Sequence, residues 1–258
     1  MTISTGTRVR LAAGNGSRAF GGAALAALLR AASAGSPPGS RPHSLHAHFL
    51  QPASPEEDVE LSTRLLRSSR TFTTVAAEAT QHGRPVATAT ASFHVPADSP
   101  VHGVSVELPS GSPLVAAPSV GGPLPPTSAP ARVLVDLRDA GPPGAVGPDG
   151  RPVQRYWVRY RGEVLSDVDR TAALAWISDL CLTRVADLEH HGSPGRRQAA
   201  SLDHSMWFHR PTDVGDWLLY EVTSPSYVDE LALSTGRFFD RDGLLVASVA
   251  QESLLRRR

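Results

Sequence analysis

Three side chains in the second half of this 258-residue chain are out of keeping with their surroundings. Asp179 is the only carboxylate between Arg170 and Arg184, in a stretch that is otherwise apolar apart from Thr171, Ser178, Cys181 and Thr183. A carboxylate in a mostly buried helix costs free energy unless it is hydrogen-bonded or hydrated in a cavity, which marks Asp179 as a functional candidate. Gln251 ends the apolar run 245–250, where a buried amide needs partners and can orient a water. Ser201 opens Ser201-Leu202-Asp203-His204-Ser205-Met206-Trp207-Phe208-His209-Arg210 and offers a hydroxyl to a carboxylate or a water. An aspartate, a hydroxyl and an amide converging on one water make a hydrolytic site with the carboxylate as general base.

Competing chemistry has to be weighed beside it. Read as one extended strand, 201–210 sends Leu202, His204, Met206 and Phe208 to one face and Ser201, Asp203, Ser205, Trp207 and His209 to the other. Ser201, Asp203 and His204 are then not expected to form a relay. Bulk on both faces predicts a central, covered strand. His43, His46 and His48 cluster without further ligands at metal spacing, so strand histidines packed against a helix are expected there. The lone Cys181 sits among Ile177, Leu180 and Leu182 as a small buried hydrophobe; no disulfide is possible, which suits a reducing compartment.

The elements that must position these residues follow from pattern. Apolar runs at 21–32 and 171–182 read as helices, the first opening on Gly21 and Gly22, which permit a close backbone approach. Strand-like runs fall at 44–50, 59–66, 71–80 and 85–95, then at 133–138, 155–161, 201–210, 217–224, 231–240 and 244–255. The Pro, Gly and Ser content of 96–131 reads as a linker. The halves look like copies: 22–26 matches 171–175 at an offset of 149, 44–46 matches 201–203 at 157, and His82-Gly83 matches Asp242-Gly243 at 160. Collinear matches with growing offsets predict an α+β chain of two tandem modules, residues 1–100 and 131–258 joined by a 101–130 linker, packed as a pseudo-dimer. Under these offsets Asp179 corresponds to Arg30, Ser201 to Ser44 and Gln251 to a position near Ala91, so one working site per chain is expected.

Charge excludes some partners. Twenty-five basic residues, all arginine, balance 25 acidic ones. A neutral chain with scattered arginines argues against nucleic acid or anionic membrane as the main partner. Neither the first 18 residues nor the alanine-rich run near 23–32 has the length of a signal core or a membrane span, so a soluble cytoplasmic protein is expected. The triple arginine 256–258 reads as a solvated tail.

The chain resembles the acyl-CoA thioesterase II family over most of its length. The likeness rests on Phe20-Gly21-Gly22, on 43–52 (HSLHAHFLQP), on 67–72 (RSSRTF) and on Ala91-Ser92-Phe93. In the second half it rests on Trp176-Ile177-Ser178-Asp179, on 201–209, on Trp217-Leu218-Leu219-Tyr220 and on Val249-Ala250-Gln251-Glu252. The resemblance implies a double hot-dog fold and hydrolysis of acyl-CoA to fatty acid and CoA. It implies no metal or redox cofactor, a homo-oligomer, and the aspartate, serine and glutamine at Asp179, Ser201 and Gln251 as catalytic residues. Ala23, where the family usually has a polar residue, and Ser253, where it usually has glycine, depart from the pattern. A hot-dog hydratase or dehydratase and a non-hydrolytic acyl-CoA binding protein stand as alternatives.

Overall fold

The computed structural model describes residues 2–14, 17–109, 134–141, 146–147, 150–188 and 197–257. Strands β1 (Thr2–Arg10), β2 (Arg41–Phe49), β3 (Asp58–Ser68), β4 (Phe72–Gln81) and β5 (Arg84–His94) surround helix α1 (Gly21–Ser33) in sequence. They are followed by β6 (Val135–Asp139), β7 (Val153–Tyr160), helices α2 (Asp167–Ser178) and α3 (Leu182–Leu188), and β8 (Arg197–Ser201). The chain then closes with β9 (Asp203–Phe208), β10 (Leu218–Val228), β11 (Leu231–Phe239) and β12 (Leu245–Arg257). All pair antiparallel in one sheet of order β1-β3-β4-β5-β2-β9-β12-β11-β10-β7-β6, with β8 continuing the β9 lane along β12. The two halves of the strand list meet at β2 and β9, where Ser44 lies opposite Trp207 and His48 opposite Asp203.

Alternation decides which face holds the core. Leu45 and Ala47 of β2 and Val75, Ala77 and Ala79 of β4 turn inward and join the cluster that contains Leu25, Leu28 and Leu29 of α1. Every residue of α1 from Gly22 to Leu29 is buried, as an alanine- and leucine-rich helix with no polar stripe requires. Each fully buried leucine contributes about 1.5–3 kcal/mol over its exposed state. His46 and His48 alternate outward and are exposed, which corrects the expectation that these histidines pack against a helix. Instead His43 bonds Ser92, and His46 bonds Ser205 and sets its ring on Trp207. Trp207 is exposed, so β9 is central but covered on one face only.

Helix α2 begins four residues before the expected start and ends four before the expected end. Ser166 caps it, accepting from the Asp169 amide while its hydroxyl donates to the Asp169 carboxylate. Asp167 and Asp169 in the first turn complement the helix dipole. The helix closes at Ser178 with Asp179 as its cap, so Asp179 is a helix terminus and not a mid-helix residue. Helices α1 and α2 run antiparallel, since Arg30 near the end of α1 pairs with Asp169 at the start of α2. Strand β1 is an addition to the expected elements. The expected tail is also corrected: Arg256 and Arg257 belong to β12, and Arg256 pairs with Glu230. From residue 110 onward the expected 101–130 linker lies outside the described residues. Before it, Val106 bonds the Gly243 turn and packs with Leu108 against Trp157, Trp217 and Phe239.

Candidate active site

Asp179 stands between two helix ends. Its own helix, α2, presents the carbonyl-rich C-terminus, while the N-terminus of α1 faces it and the Gly22 amide donates to Oδ2 at 2.9 Å. That approach requires glycine twice. A Cβ on Gly21 would lie 2.6 Å from Asp179 Oδ2, and one on Gly22 would lie 2.4 Å from the Trp176 carbonyl oxygen. The Gly22 N–H is thus spent on the carboxylate. Phe20 closes the same seam edge-on to Trp176, and Phe49 lies beside Gly21.

Burial dominates the electrostatics of Asp179 and pushes its carboxyl up to about 7, against lowering contributions from the Gly22 amide, the Gln251 side chain and the Ser201 hydroxyl. A carboxylate poised near neutrality suits proton transfer at physiological pH. Gln251 is fully buried on β12; its Nε2 donates to Ser201 Oγ at 3.0 Å and reaches Thr183 Oγ1 at 3.2 Å and Ser253 Oγ at 3.3 Å. The structure therefore brings Asp179, Ser201 and Gln251 together, with Gly22 from the first half of the chain.

The strand break at Leu202 changes one expectation. Ser201 closes β8 and His204 lies in β9, so the alternation is reset between them and both side chains reach Gln251 from the helix side. They do not form a relay. His204 places Nδ1 2.8 Å from Gln251 Oε1 and Nε2 2.9 Å from Ser178 Oγ, while Asp203 accepts from the Glu252 amide. Burial pushes the His204 imidazole down to about 4, so it is neutral. Ser178, Thr183, His204 and Ser253 belong to the site and were not singled out for it from sequence. The signal lay in the buried polar set around the aspartate and in Ser253 as a departure after Gln251-Glu252. Cys181 is buried, and among the described residues no group of His, Cys, Asp or Glu is placed to hold a metal.

Helices laid on one face of a continuous antiparallel sheet, with a carboxylate at the helix seam, define the class as a hot-dog protein. A hot-dog structure from Alicyclobacillus acidocaldarius superposes with a TM-score of 0.75 at 21% identity, covering 94% of this chain and 89% of that one. An acyl-CoA thioesterase II from Mycobacterium marinum superposes with a TM-score of 0.81 at 30% identity over 92% of this chain and 89% of its own. Residues 10–94 match the model of the acyl-CoA thioesterase N-terminal domain and residues 109–255 that of the C-terminal domain. The mouse acyl-coenzyme A thioesterase 8 is 31% identical over 93% of this chain and 80% of its own length. The chain belongs to the acyl-CoA thioesterase II family.

Proposed function

We propose that this acyl-CoA thioesterase cleaves its substrate with a water activated by Asp179 and held by Ser201 and Gln251. The water oxygen adds to the thioester carbonyl as Asp179 takes its proton; the carbon–sulfur bond then breaks, and the proton passes to the CoA thiolate. The observation that carries this reading is the convergence of a carboxylate raised to about 7 with a hydroxyl and an amide where two helix ends meet. The hydratase alternative needs a histidine free to act on substrate, whereas both ring nitrogens of His204 are engaged by protein. Thiol release from a panel of acyl-CoAs, set against absorbance change with enoyl-CoA, tests the reading. Hydrolysis in wild type and its loss by about 10²-fold or more in Asp179→Asn are expected; near-normal turnover in that variant removes Asp179 from the mechanism.

The same reading takes residues 1–100 and 131–258 as tandem hot-dog modules joined by 101–130 and packed as a pseudo-dimer. A strand order that runs β1-β3-β4-β5-β2 and then β9-β12-β11-β10-β7 supports it, as do left-handed glycines at both matched turns, Gly83 and Gly243. Ala47 pairs with Ala89, and His204 bonds Gln251, so the 157 offset between Ala47 and His204 places Ala89, not Ala91, opposite Gln251 in the copy. Either alanine lacks the amide, which leaves one complete site per chain. Exposed Trp207 and Phe72 on the outer sheet face support a homo-oligomer. Light scattering at micromolar concentration should give a mass above 27.3 kDa; a monomeric mass refutes the assembly. Among the described residues no helix is long and apolar enough to cross a membrane, and the single buried cysteine fits a cytoplasmic setting.

A further inference from the structure

His204 is the one buried histidine at the site, and general acid–base chemistry on the thioester does not use it. Its surroundings nevertheless determine where every proton of the site points. The Gln251 side chain is a branch point: one end meets His204 Nδ1, the other meets the hydroxyls of Ser201, Thr183 and Ser253. Two arrangements satisfy this set. In the first, Nδ1–H donates to Gln251 Oε1, the Gln251 NH2 faces the hydroxyl oxygens, and the single Ser178 hydrogen is shared between His204 Nε2 and the Ala175 carbonyl. In the second, the amide is turned over. Gln251 then donates to Nδ1, Nε2–H donates to Ser178 Oγ, Ser178 donates to the Ala175 carbonyl 2.8 Å away, and Gln251 Oε1 accepts from the hydroxyls.

Asp179 decides between them. An ionised carboxylate only accepts, so an amide oxygen turned toward it is repelled while an amide NH2 is attracted. The second arrangement also draws the Ser201 hydrogen onto Gln251, away from the carboxylate and its water. In the first, Ser201 Oγ receives a hydrogen from Gln251 at 3.0 Å and its own hydrogen is left for Asp179 or the water. Tyr220 holds the backbone of Ser178 by donating to its carbonyl at 2.7 Å.

We propose that His204 is a positioning residue of the hydrolytic site: an imidazole protonated on Nδ1 fixes the Gln251 amide with its NH2 toward Ser201 and Asp179, and so directs the Ser201 proton to the carboxylate or its water. This rests on the assignment of Asp179, Ser201 and Gln251 as the catalytic set. The histidine touches no reacting atom and acts through Gln251. Of the other titratable groups facing the network, Tyr220 of β10 is protonated because burial raises its phenol well above the usual range, Cys181 faces Tyr220, and the Asp203 charge acts on His204 from the adjacent position.

Two measurements test the inference. In full-length protein labelled with nitrogen-15 histidine, the ring-nitrogen shifts of His204 should show the Nδ1–H tautomer, persisting unprotonated at pH 6; the Nε2–H tautomer overturns the proposal. His204→Phe removes the donor and His204→Asn keeps an N–H near the position of Nδ1. The phenylalanine variant should lose about 10²-fold in kcat through misorientation, with KM little changed. Losing the Gln251 donor also raises the Asp179 carboxyl, so the acidic limb of kcat/KM should move to higher pH in His204→Phe and return toward wild type in His204→Asn. A purely structural role would not move that limb. A folded His204→Phe with wild-type kcat and an unmoved limb overturns the proposal. Should that variant fail to fold, the tautomer measurement on wild type decides alone. Asp179→Asn separates the two levels: retained activity there sinks the site assignment, whereas an inactive Asp179→Asn beside a normal His204→Phe sinks the role of His204 only.

Discussion

Replacing Asp179 by asparagine should do opposite things to turnover and to stability, and the second effect carries a pH signature that can be worked out beforehand. The carboxyl lies at about 7 in the folded chain against an ordinary value of 3.8. Between those values the folded state binds more protons than the unfolded state, so the stability supplied by protonated Asp179 is complete below 3.8 and is lost as pH rises through 7. About three units of difference at about 1.4 kcal/mol each make this loss about 4 kcal/mol. Asparagine is nearly isosteric, accepts from Gly22 with its amide oxygen, and never ionises. Wild type and Asp179→Asn should therefore be nearly equal in stability at pH 4 and diverge until the variant is the more stable by about 4 kcal/mol at pH 8. Urea unfolding at a series of pH values reads this directly. Above about 7, where the ionised Asp179 of wild type is expected to act as base, the variant should have lost about 10²-fold in thiol release. Parallel stability curves across pH 4–8 would refute the argument, because they would mean that Asp179 is not held in a desolvated seam.

Two further predictions use the seam itself. Gly22→Ala puts a methyl 2.4 Å from a backbone oxygen that has no freedom to swing away, so the ends of α1 and α2 must separate; about 1–3 kcal/mol of destabilisation and a loss of turnover are expected, and an unchanged melting temperature with full activity would refute the close approach. Residues 128–258 alone carry Asp179, Ser201 and Gln251 but lack Gly22, Phe20 and Phe49, so that fragment should be inactive even when soluble and regain activity on addition of residues 1–127; full activity from the fragment alone would show that the first half contributes nothing to the site.

Much of this arrangement was legible in the sequence because it rests on local regularities. Glycine at 21 and 22 announced a close approach, and the structure brings Trp176 and Asp179 into it. Alternation in 71–80 and 85–95 gave β4 and β5 to within a residue or two, since a hairpin turned at a left-handed glycine leaves little freedom of register. Helix α2 starts before its apolar run because it is nucleated by Ser166 and Asp169, a polar cap in a polar stretch. It ends before that run does because apolar Leu180, Cys181 and Leu182 belong to a turn and a second helix past Asp179.

The same limit hides the partners of His204 from a local reading of the sequence. Period-two alternation assigns faces only while one strand continues, and the chain leaves that regime at Leu202. There the backbone amide of Leu202 bonds Glu252 and the amide of Phe49 takes the Leu202 carbonyl, in place of the regular ladder. Residues three apart, which alternation places on opposite faces, then face the same amide from its two ends. A break of this kind is set by strands some 50 and 150 residues distant, so nothing within ten residues of Ser201 encodes it. The residue types of the candidate site survive such a break as readable motifs because each is unusual in its own surroundings. The hydrogen-bond chain that orients them does not survive it, because its members are unremarkable until the fold brings β8, β9, β12 and α2 to one point.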